Sequence, residues 1–220
     1  MKELTIRQYH IELFGEEDDR VKPVVYLHTF PAAGGKIWGM TKKNFVLAAI
    51  SGFDWNGDLS PWKADSVFGG EGDFAGNGGQ YLQTLTEELV PLVERELPFV
   101  VKERGVAGYS MAGLFAAYAV HKTDLFDRMA SVSGSLWFDG FCQYALTHDI
   151  VSEKMKIYLS LGSKEHCVRN SRMAAVKECT ETLADHWRIR FPVVYETNPG
   201  GHFNKPEQRV AEGLDRLIEE

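Results

Sequence analysis

The chain has 220 residues, of which 44% are hydrophobic and 25% are charged, and its formal net charge at pH 7 is −7. These values are typical of a single globular α/β domain over residues 1–220. Lysines and arginines are scattered among acidic residues, which argues against a nucleic-acid-binding surface. No apolar run is long enough to span a membrane, and the polar residues 1–10 are unlike a signal or transit peptide.

Cysteine usage indicates where the protein works. Cys142, Cys167 and Cys179 are odd in number and lack CxxC spacing, so we interpret them as free structural thiols in a reducing cytoplasm. The run 165–167, Glu-His-Cys, lacks metal-ligand spacing, and the glycine run 69–79 lacks the Gly-Lys-Ser/Thr of a phosphate-binding loop. The sequence therefore predicts neither a metal nor a cofactor.

Short apolar runs alternate with amphipathic segments along the chain. This alternation predicts a mostly parallel central sheet of about seven or eight strands with helices on both faces. The predicted strands are one or two within 4–14, followed by 24–28, 45–50, 105–109, 129–132, 156–161 and 191–197. The predicted helices are 81–97, in which Pro91 could introduce a kink, and 111–121, 170–187 and 206–218.

One long segment, residues 51–80, does not fit this alternation. It contains eight glycines and five aromatic residues, namely Phe53, Trp55, Trp62, Phe68 and Phe74. A stretch of this length without regular structure is more often functional than accidental. Because it follows a strand, we expect it at the carboxyl edge of the sheet, forming the rim of a binding pocket.

The first candidate catalytic residue is Ser110, in the run Gly108-Tyr109-Ser110-Met111-Ala112. An apolar strand ends just before it and an Ala-rich helix begins just after it. The turn between them is so tight that side chains at Gly108 and Ala112 are expected to collide with neighbouring strands. The serine hydroxyl would then lie at a helix N-terminus, which favours a developing negative charge. A chance glycine–serine turn is the alternative.

Ser110 would need a base to remove its proton, and the chain has seven histidines. His202 lies in the glycine-rich run 198–203, after the last predicted strand and before the last predicted helix. That position is at the same edge of the sheet as Ser110, so we predict His202 as the base. A surface-loop histidine without a catalytic role is the alternative.

A third residue should orient the histidine and stabilise its charged form. Where the serine lies on a turn from a strand to a helix, the three residues follow one another along the chain as serine, acid and histidine. The acid is then expected after the strand that lies between the serine and the histidine in sequence. Glu165 is the first acid after strand 156–161 and is our prediction. Asp185 and Glu196 are placed less well, within a helix and a strand, and a solvated loop glutamate at 165 is the alternative.

Two backbone amides should stabilise the oxyanion that forms during attack. The amide of Met111, directly after the serine, is one expected donor. The loop after strand 24–28 should supply the other, from Thr29 or Phe30, because Pro31 has no N–H to offer.

Four segments carry a resemblance to a known family: the runs 108–115 and 131–137, the acidic turn 162–165 and the Gly201-His202 loop. In these segments the sequence resembles the α/β-hydrolase esterase family that includes esterase D and the siderophore (enterochelin) esterases. The resemblance implies an α/β-hydrolase fold and hydrolysis of carboxylic esters through an acyl-enzyme, with Ser110, Glu165 and His202 as a triad. Thr29 is a departure, because relatives usually carry glycine there. Some siderophore esterases use a serine–histidine pair alone, so the role of Glu165 stays open.

The pocket of such an esterase would take a small-molecule ester. Five aromatic residues are candidates for contact with the substrate, although core packing is an equal alternative for each: Trp62, Phe74, Tyr109, Trp137 and Phe203. An acyltransferase or peptidase with the same triad, or an inactive binding protein with this fold, are the alternative functions. The sequence does not indicate an oligomeric state.

Overall fold

The computed structural model describes residues 1–17, 20–42, 44–67 and 72–219. Part of the predicted pocket rim, Phe68 to Glu71, therefore lies outside the described residues. The strands in chain order are β1 Lys2–Ile6, β2 Tyr9–Phe14, β3 Val24–His28, β4 Val46–Ser51, β5 Lys63–Ala64, β6 Phe74–Ala75, β7 Arg104–Tyr109, β8 Arg128–Val132, β9 Lys156–Gly162 and β10 Val193–Asn198.

The helices lie mainly between these strands. They are α1 Ala33–Trp38, α2 Gly78–Thr84, α3 Val90–Arg95, α4 Met111–Ala119, α5 Phe141–Thr147, α6 Ser171–Ala174, α7 Val176–Arg188 and α8 Pro206–Ile218. A π-helical turn, Leu85–Leu89, joins α2 to α3. No helix in the described ranges is long and apolar enough to cross a bilayer.

Eight strands form one sheet in the order β1-β2-β4-β3-β7-β8-β9-β10. The strands β4, β3, β7, β8, β9 and β10 are parallel, whereas β1 and β2 pair antiparallel at one edge. Successive side chains of β3 enter two different hydrophobic clusters: Val24 and Tyr26 belong to the cluster that includes residues of α4 and α7, and Val25 and Leu27 belong to the cluster that includes residues of α1 and α8. The predicted mostly parallel sheet covered by helices on both faces is therefore confirmed.

The structure differs from the sequence prediction in four places, the first being the helix predicted over 170–187, which is divided into α6 and α7. The helix predicted over 81–97 begins at Gly78 and widens into the π turn just before Pro91, which lacks the amide that the regular ladder would use. Helices α1 and α5 were not predicted, because both are short and α1 contains two glycines. The 51–80 segment contains the β5–β6 hairpin and the start of α2.

His28, at the end of β3, gives a pH-dependent prediction for folding. The residue is 1% exposed, and its ring packs edge-on against Phe115. Burial lowers the pKa of His28 from 6.5 to about 4, although the hydrogen bond to the Ala107 carbonyl acts in the opposite direction. Between about pH 6.5 and 4, His28 is protonated in the unfolded chain but stays neutral in the native state. Stability should therefore fall by up to about 3 kcal/mol as pH drops through that window. Urea unfolding at several pH values should show a steeper loss of stability in the wild type than in His28→Gln; equal slopes would contradict this prediction.

Candidate active site

Ser110 occupies the turn that joins β7 to α4. Its backbone has φ 59° and ψ −121°, a conformation that costs a non-glycine residue energy and persists only where surrounding contacts enforce it. Those contacts are present: the Ser110 amide donates to the Val132 carbonyl at 3.1 Å, and its carbonyl accepts from the amides of Leu114 at 3.0 Å and Ser135 at 2.9 Å. The side chain is thus presented at the carboxyl edge of the sheet.

The small residues around Ser110 are required by close contacts within the turn. A Cβ on Gly108 would lie 2.3 Å from the carbonyl carbon of Ala112 and 2.4 Å from its Cβ. The predicted steric restriction therefore exists, but the collision is with Ala112 in the same turn and not with a neighbouring strand. Gly113 lets α4 approach the loop after β8, because a Cβ there would lie 2.9 Å from the Cα of Gly134.

Ser110, His202 and Glu165 form a continuous chain of hydrogen bonds. The Ser110 Oγ lies 3.0 Å from His202 Nε2, and His202 Nδ1 lies 2.7 Å from Glu165 Oε2. Because a carboxylate can only accept, the Nδ1 nitrogen carries the proton, and Nε2 is left as the acceptor for the serine hydroxyl. This arrangement can remove the hydroxyl proton and hold it on a paired imidazolium.

Glu165 is buried, at 6% exposure, and its two carboxylate oxygens have different partners. The Oε1 atom accepts from Ser133 Oγ at 2.7 Å, the Gly162 amide at 2.6 Å and Arg209 Nη1 at 3.0 Å, which leaves Oε2 for His202. Burial alone would raise the pKa of this carboxyl, but the bonds from His202, Ser133 and Gly162 outweigh it and lower the pKa from its ordinary value. Glu165 is therefore a carboxylate at neutral pH.

The candidate oxyanion donors differ in whether their amides are free. The Met111 amide is in the first turn of α4, where amides have no acceptor within the helix. The Thr29 amide donates to the Ile50 carbonyl at 2.9 Å, so it is not available. The Phe30 amide donates no hydrogen bond within the described part of the chain, and both Phe30 and Met111 line the cavity at Ser110. Of the two predicted loop residues, the structure favours Phe30.

A cavity of about 1070 Å³ opens at Ser110. Tyr109, Trp137 and Phe203 line it, as the sequence predicted for substrate contacts. Tyr109 directs its hydroxyl to the His202 carbonyl, and the Phe203 side chain is 87% exposed at the rim with its ring edge-on to His202. Phe30 stacks on Trp55 at 4.2 Å along another side of the cavity.

The structure places Trp62 and Phe74 elsewhere, which corrects the predicted set of substrate contacts. The Trp62 indole packs against Phe138 and donates its N–H to the Asp139 carbonyl at 2.8 Å. Phe74 is 1% exposed and packs edge-on against Phe138 and Trp137, behind the cavity wall. Phe74 belongs to the hydrophobic core and the half-buried Trp62 packs against it, because the β5–β6 hairpin and the residue before it lie against the loop after β8.

Sequence reasoning missed several residues near Ser110. Ser135 is buried with its Oγ 3.3 Å from that of Ser110, and Ser133 bonds Glu165. Their position directly after β8, at the carboxyl edge of the sheet, was a signal that could have found them. Arg209 lies inside the amphipathic helix α8, where an arginine usually faces solvent, so the sequence gives no signal for it.

Other reactive side chains lie apart from this arrangement. The three cysteines are free thiols; Cys142 and Cys179 are half-buried, and Cys167 is exposed. Within residues 1–17, 20–42, 44–67 and 72–219, no group of three or more His, Cys, Asp or Glu residues could hold a metal ion.

The parallel sheet, the strained serine between β7 and α4 and the loop histidine define an α/β-hydrolase fold of the serine hydrolase type. The chain belongs to the esterase family whose model, described as "Putative esterase", matches residues 40–204. It is similar in structure to an IroE-like serine hydrolase from Shewanella oneidensis, with TM-score 0.77 and 18% identity over 99% of this chain and 79% of that one. It is also similar to the siderophore hydrolase EstA from Aspergillus nidulans, with TM-score 0.73 and 18% identity over 99% and 93% of the two chains.

A curated relative in sequence is the uncharacterized protein YbbA of Bacillus subtilis (strain 168). It is 30% identical over 112 residues, which cover 49% of this chain and 44% of that protein. The match thus spans less than half the length of the curated relative.

Proposed function

We propose that this protein is a serine esterase that hydrolyses carboxylic esters through an acyl-enzyme on Ser110. The observation that carries the proposal is the unbroken chain from Ser110 Oγ through His202 to the buried Glu165, with bonds of 3.0 and 2.7 Å. This is the geometry that a weak serine nucleophile needs in order to react at neutral pH.

The proposed reaction has two halves. Ser110 Oγ attacks the ester carbonyl and gives its proton to His202 Nε2, while the amides of Met111 and Phe30 bind the oxyanion. The oxyanion collapses, the alcohol leaves with the proton from His202, and the acyl group stays on Ser110. Water then loses a proton to His202 and attacks the acyl carbonyl, which releases the acid and restores the serine. Glu165 holds His202 in the productive tautomer throughout.

The cavity supports a small-molecule ester as substrate. Its volume is at the upper end of ligand-binding clefts, and aromatic rings of Phe30, Trp55 and Trp137 line it. Similar folds include proteins described as siderophore hydrolases, so a siderophore-type ester belongs in any substrate panel. We further propose a single domain over residues 1–220 that works in the cytoplasm, which the three free thiols support.

The proposal can be tested with purified protein and a panel of p-nitrophenyl esters, thioesters, short peptides and a siderophore ester. We expect saturable ester hydrolysis and stoichiometric labelling by a fluorophosphonate probe. Competing alcohol or amine acceptors in the same assay would reveal an acyltransferase by a transfer product. Absence of both turnover and labelling would refute the esterase and indicate a binding protein with this fold.

A further inference from the structure

Arg209, on α8, is 3% exposed, although arginine is rarely buried in proteins. Its Nη1 donates to Glu165 Oε1 at 3.0 Å and to Ser133 Oγ at 3.1 Å. Its Nη2 donates to the carbonyls of Pro199 at 3.0 Å and Gly201 at 3.1 Å. One guanidinium thus contacts both the predicted acid and the loop that carries the predicted base. We propose that Arg209 is a positioning residue that fixes Glu165 and the His202 loop relative to each other, an inference that rests on the proposed esterase function.

The charge of Arg209 explains how Glu165 can be both buried and directed at His202. Glu165 and Arg209 form an ion pair whose side chains are 3% and 4% exposed. A buried carboxylate without a cationic partner would be strongly disfavoured. Because Arg209, Ser133 and Gly162 saturate Oε1, the other oxygen has His202 as its partner. The guanidinium, together with Ser133 and Gly162, therefore holds one carboxylate oxygen so that the other faces the histidine.

The loop is fixed at its carbonyls. Each backbone carbonyl of residues 199–202 accepts a hydrogen bond. The carbonyls of Pro199 and Gly201 both accept from Asn204 and from Arg209. The Gly200 carbonyl accepts from the Lys164 amide, and the His202 carbonyl accepts from the Tyr109 hydroxyl. Arg209 is the donor that ties this loop to the buried carboxylate. Without it, the loop would keep its bonds from Asn204, Lys164 and Tyr109 but would lose the guanidinium that it shares with the carboxylate, and the His202 ring could move relative to Glu165.

The packing around the guanidinium is tight. A Cβ on Gly162 would lie 2.7 Å from Glu165 Oε1, 2.7 Å from the Gly200 carbonyl oxygen and 2.9 Å from Arg209 Nη2. The strand end, the acid, the loop and the arginine are therefore in close contact. A lysine at 209 could reach the carboxylate with its single ammonium, but it lacks the planar fork that serves the acid and the loop together.

The kinetic test compares Arg209→Met and Arg209→Lys with the wild type on a short p-nitrophenyl ester. We expect Arg209→Met to lower kcat by about 10²-fold, as for a misplacement of about 1 Å at a reacting group. The KM should change little, because Arg209 does not line the cavity. Arg209→Lys should recover part of kcat. If Arg209→Met does not fold, a lysine variant with wild-type kcat overturns the proposal.

The matched control is Arg128→Met. Arg128 ties the other end of the same helix, donating to the Leu217 carbonyl at 3.0 Å, and it pairs with Glu103 without contacting Glu165 or the loop. We expect this variant to keep the wild-type kcat. An equal loss of kcat in Arg128→Met and Arg209→Met would show that loosening α8, rather than losing the link to Glu165, is responsible, and would overturn the proposal.

Proton NMR gives a readout that does not require activity. The Nδ1 proton of a histidine bonded to a carboxylate resonates far downfield, and the His202→Ala variant identifies that signal. We expect the signal in the wild type and Arg128→Met, and its loss or upfield shift in Arg209→Met. An unchanged signal in Arg209→Met overturns the proposal even if no ester is hydrolysed, whereas an inactive wild type with the expected NMR changes refutes only the esterase.

Discussion

Replacing Ser110 with alanine is expected to lower the kcat for a short p-nitrophenyl ester by a factor on the order of 10⁶. The variant has no Oγ to form the acyl-enzyme, so neither half of the reaction can proceed through a covalent intermediate. The oxyanion donors and the cavity remain, and only their residual acceleration should survive. Steady-state kinetics with enzyme purified free of contaminating host esterases measures the loss.

The fold should tolerate this substitution. Among the residues that the structure describes, the Ser110 side chain bonds His202 and Ser135 alone, and alanine carries the same Cβ into the same positive-φ turn. We expect a Tm close to that of the wild type and no labelling by a fluorophosphonate. Ser152→Ala is the matched control, because Ser152 is a buried serine that bonds Lys154 away from the cavity. Near-wild-type turnover in Ser110→Ala would exclude Ser110 as the nucleophile.

Much of the fold was predictable because it depends on signals local in the chain. The strand 24–28 was predicted with its observed bounds, since a strand buried on both faces must be apolar throughout. The helix 206–218 likewise begins at Pro206, a residue that favours the first turn, and shows a regular apolar stripe. The order of serine, acid and histidine then matches the chain order of the α/β-hydrolase fold.

Features set by distant contacts were not predictable in the same way. Whether the Thr29 or the Phe30 amide is free depends on the Ile50 carbonyl in a neighbouring strand. Whether Trp62 faces the cavity or the core depends on how the β5–β6 hairpin folds. Arg209 has no sequence signature, because its role depends on contacts between α8 and two loops that are distant in sequence. These are the loop after β9, which carries Glu165, and the loop after β10, which carries Gly201.

Replacing Glu165 with glutamine is expected to lower kcat by about 10⁴-fold, as the loss of charge in a comparable triad does. Glutamine retains the shape of the side chain but cannot accept at both positions. If its amide group faces His202, it stabilises the tautomer with the proton on Nε2, which cannot take the proton of Ser110. If its oxygen faces His202, the amide group meets the donors Ser133, Gly162 and Arg209. Either orientation removes the charge that stabilises the imidazolium.

The size of this loss decides between a triad and a serine–histidine pair. Glu196→Gln is the matched control. Glu196 lies on β10, just before the His202 loop, and like Glu165 it accepts from a hydroxyl and pairs with an arginine, but it has no contact with His202. We expect that control to retain the wild-type kcat. An equal kcat in Glu165→Gln and the wild type would mean that His202 works without a charged partner. The buried carboxylate and Arg209 would then stabilise the loop after β10 without contributing to the proton transfer.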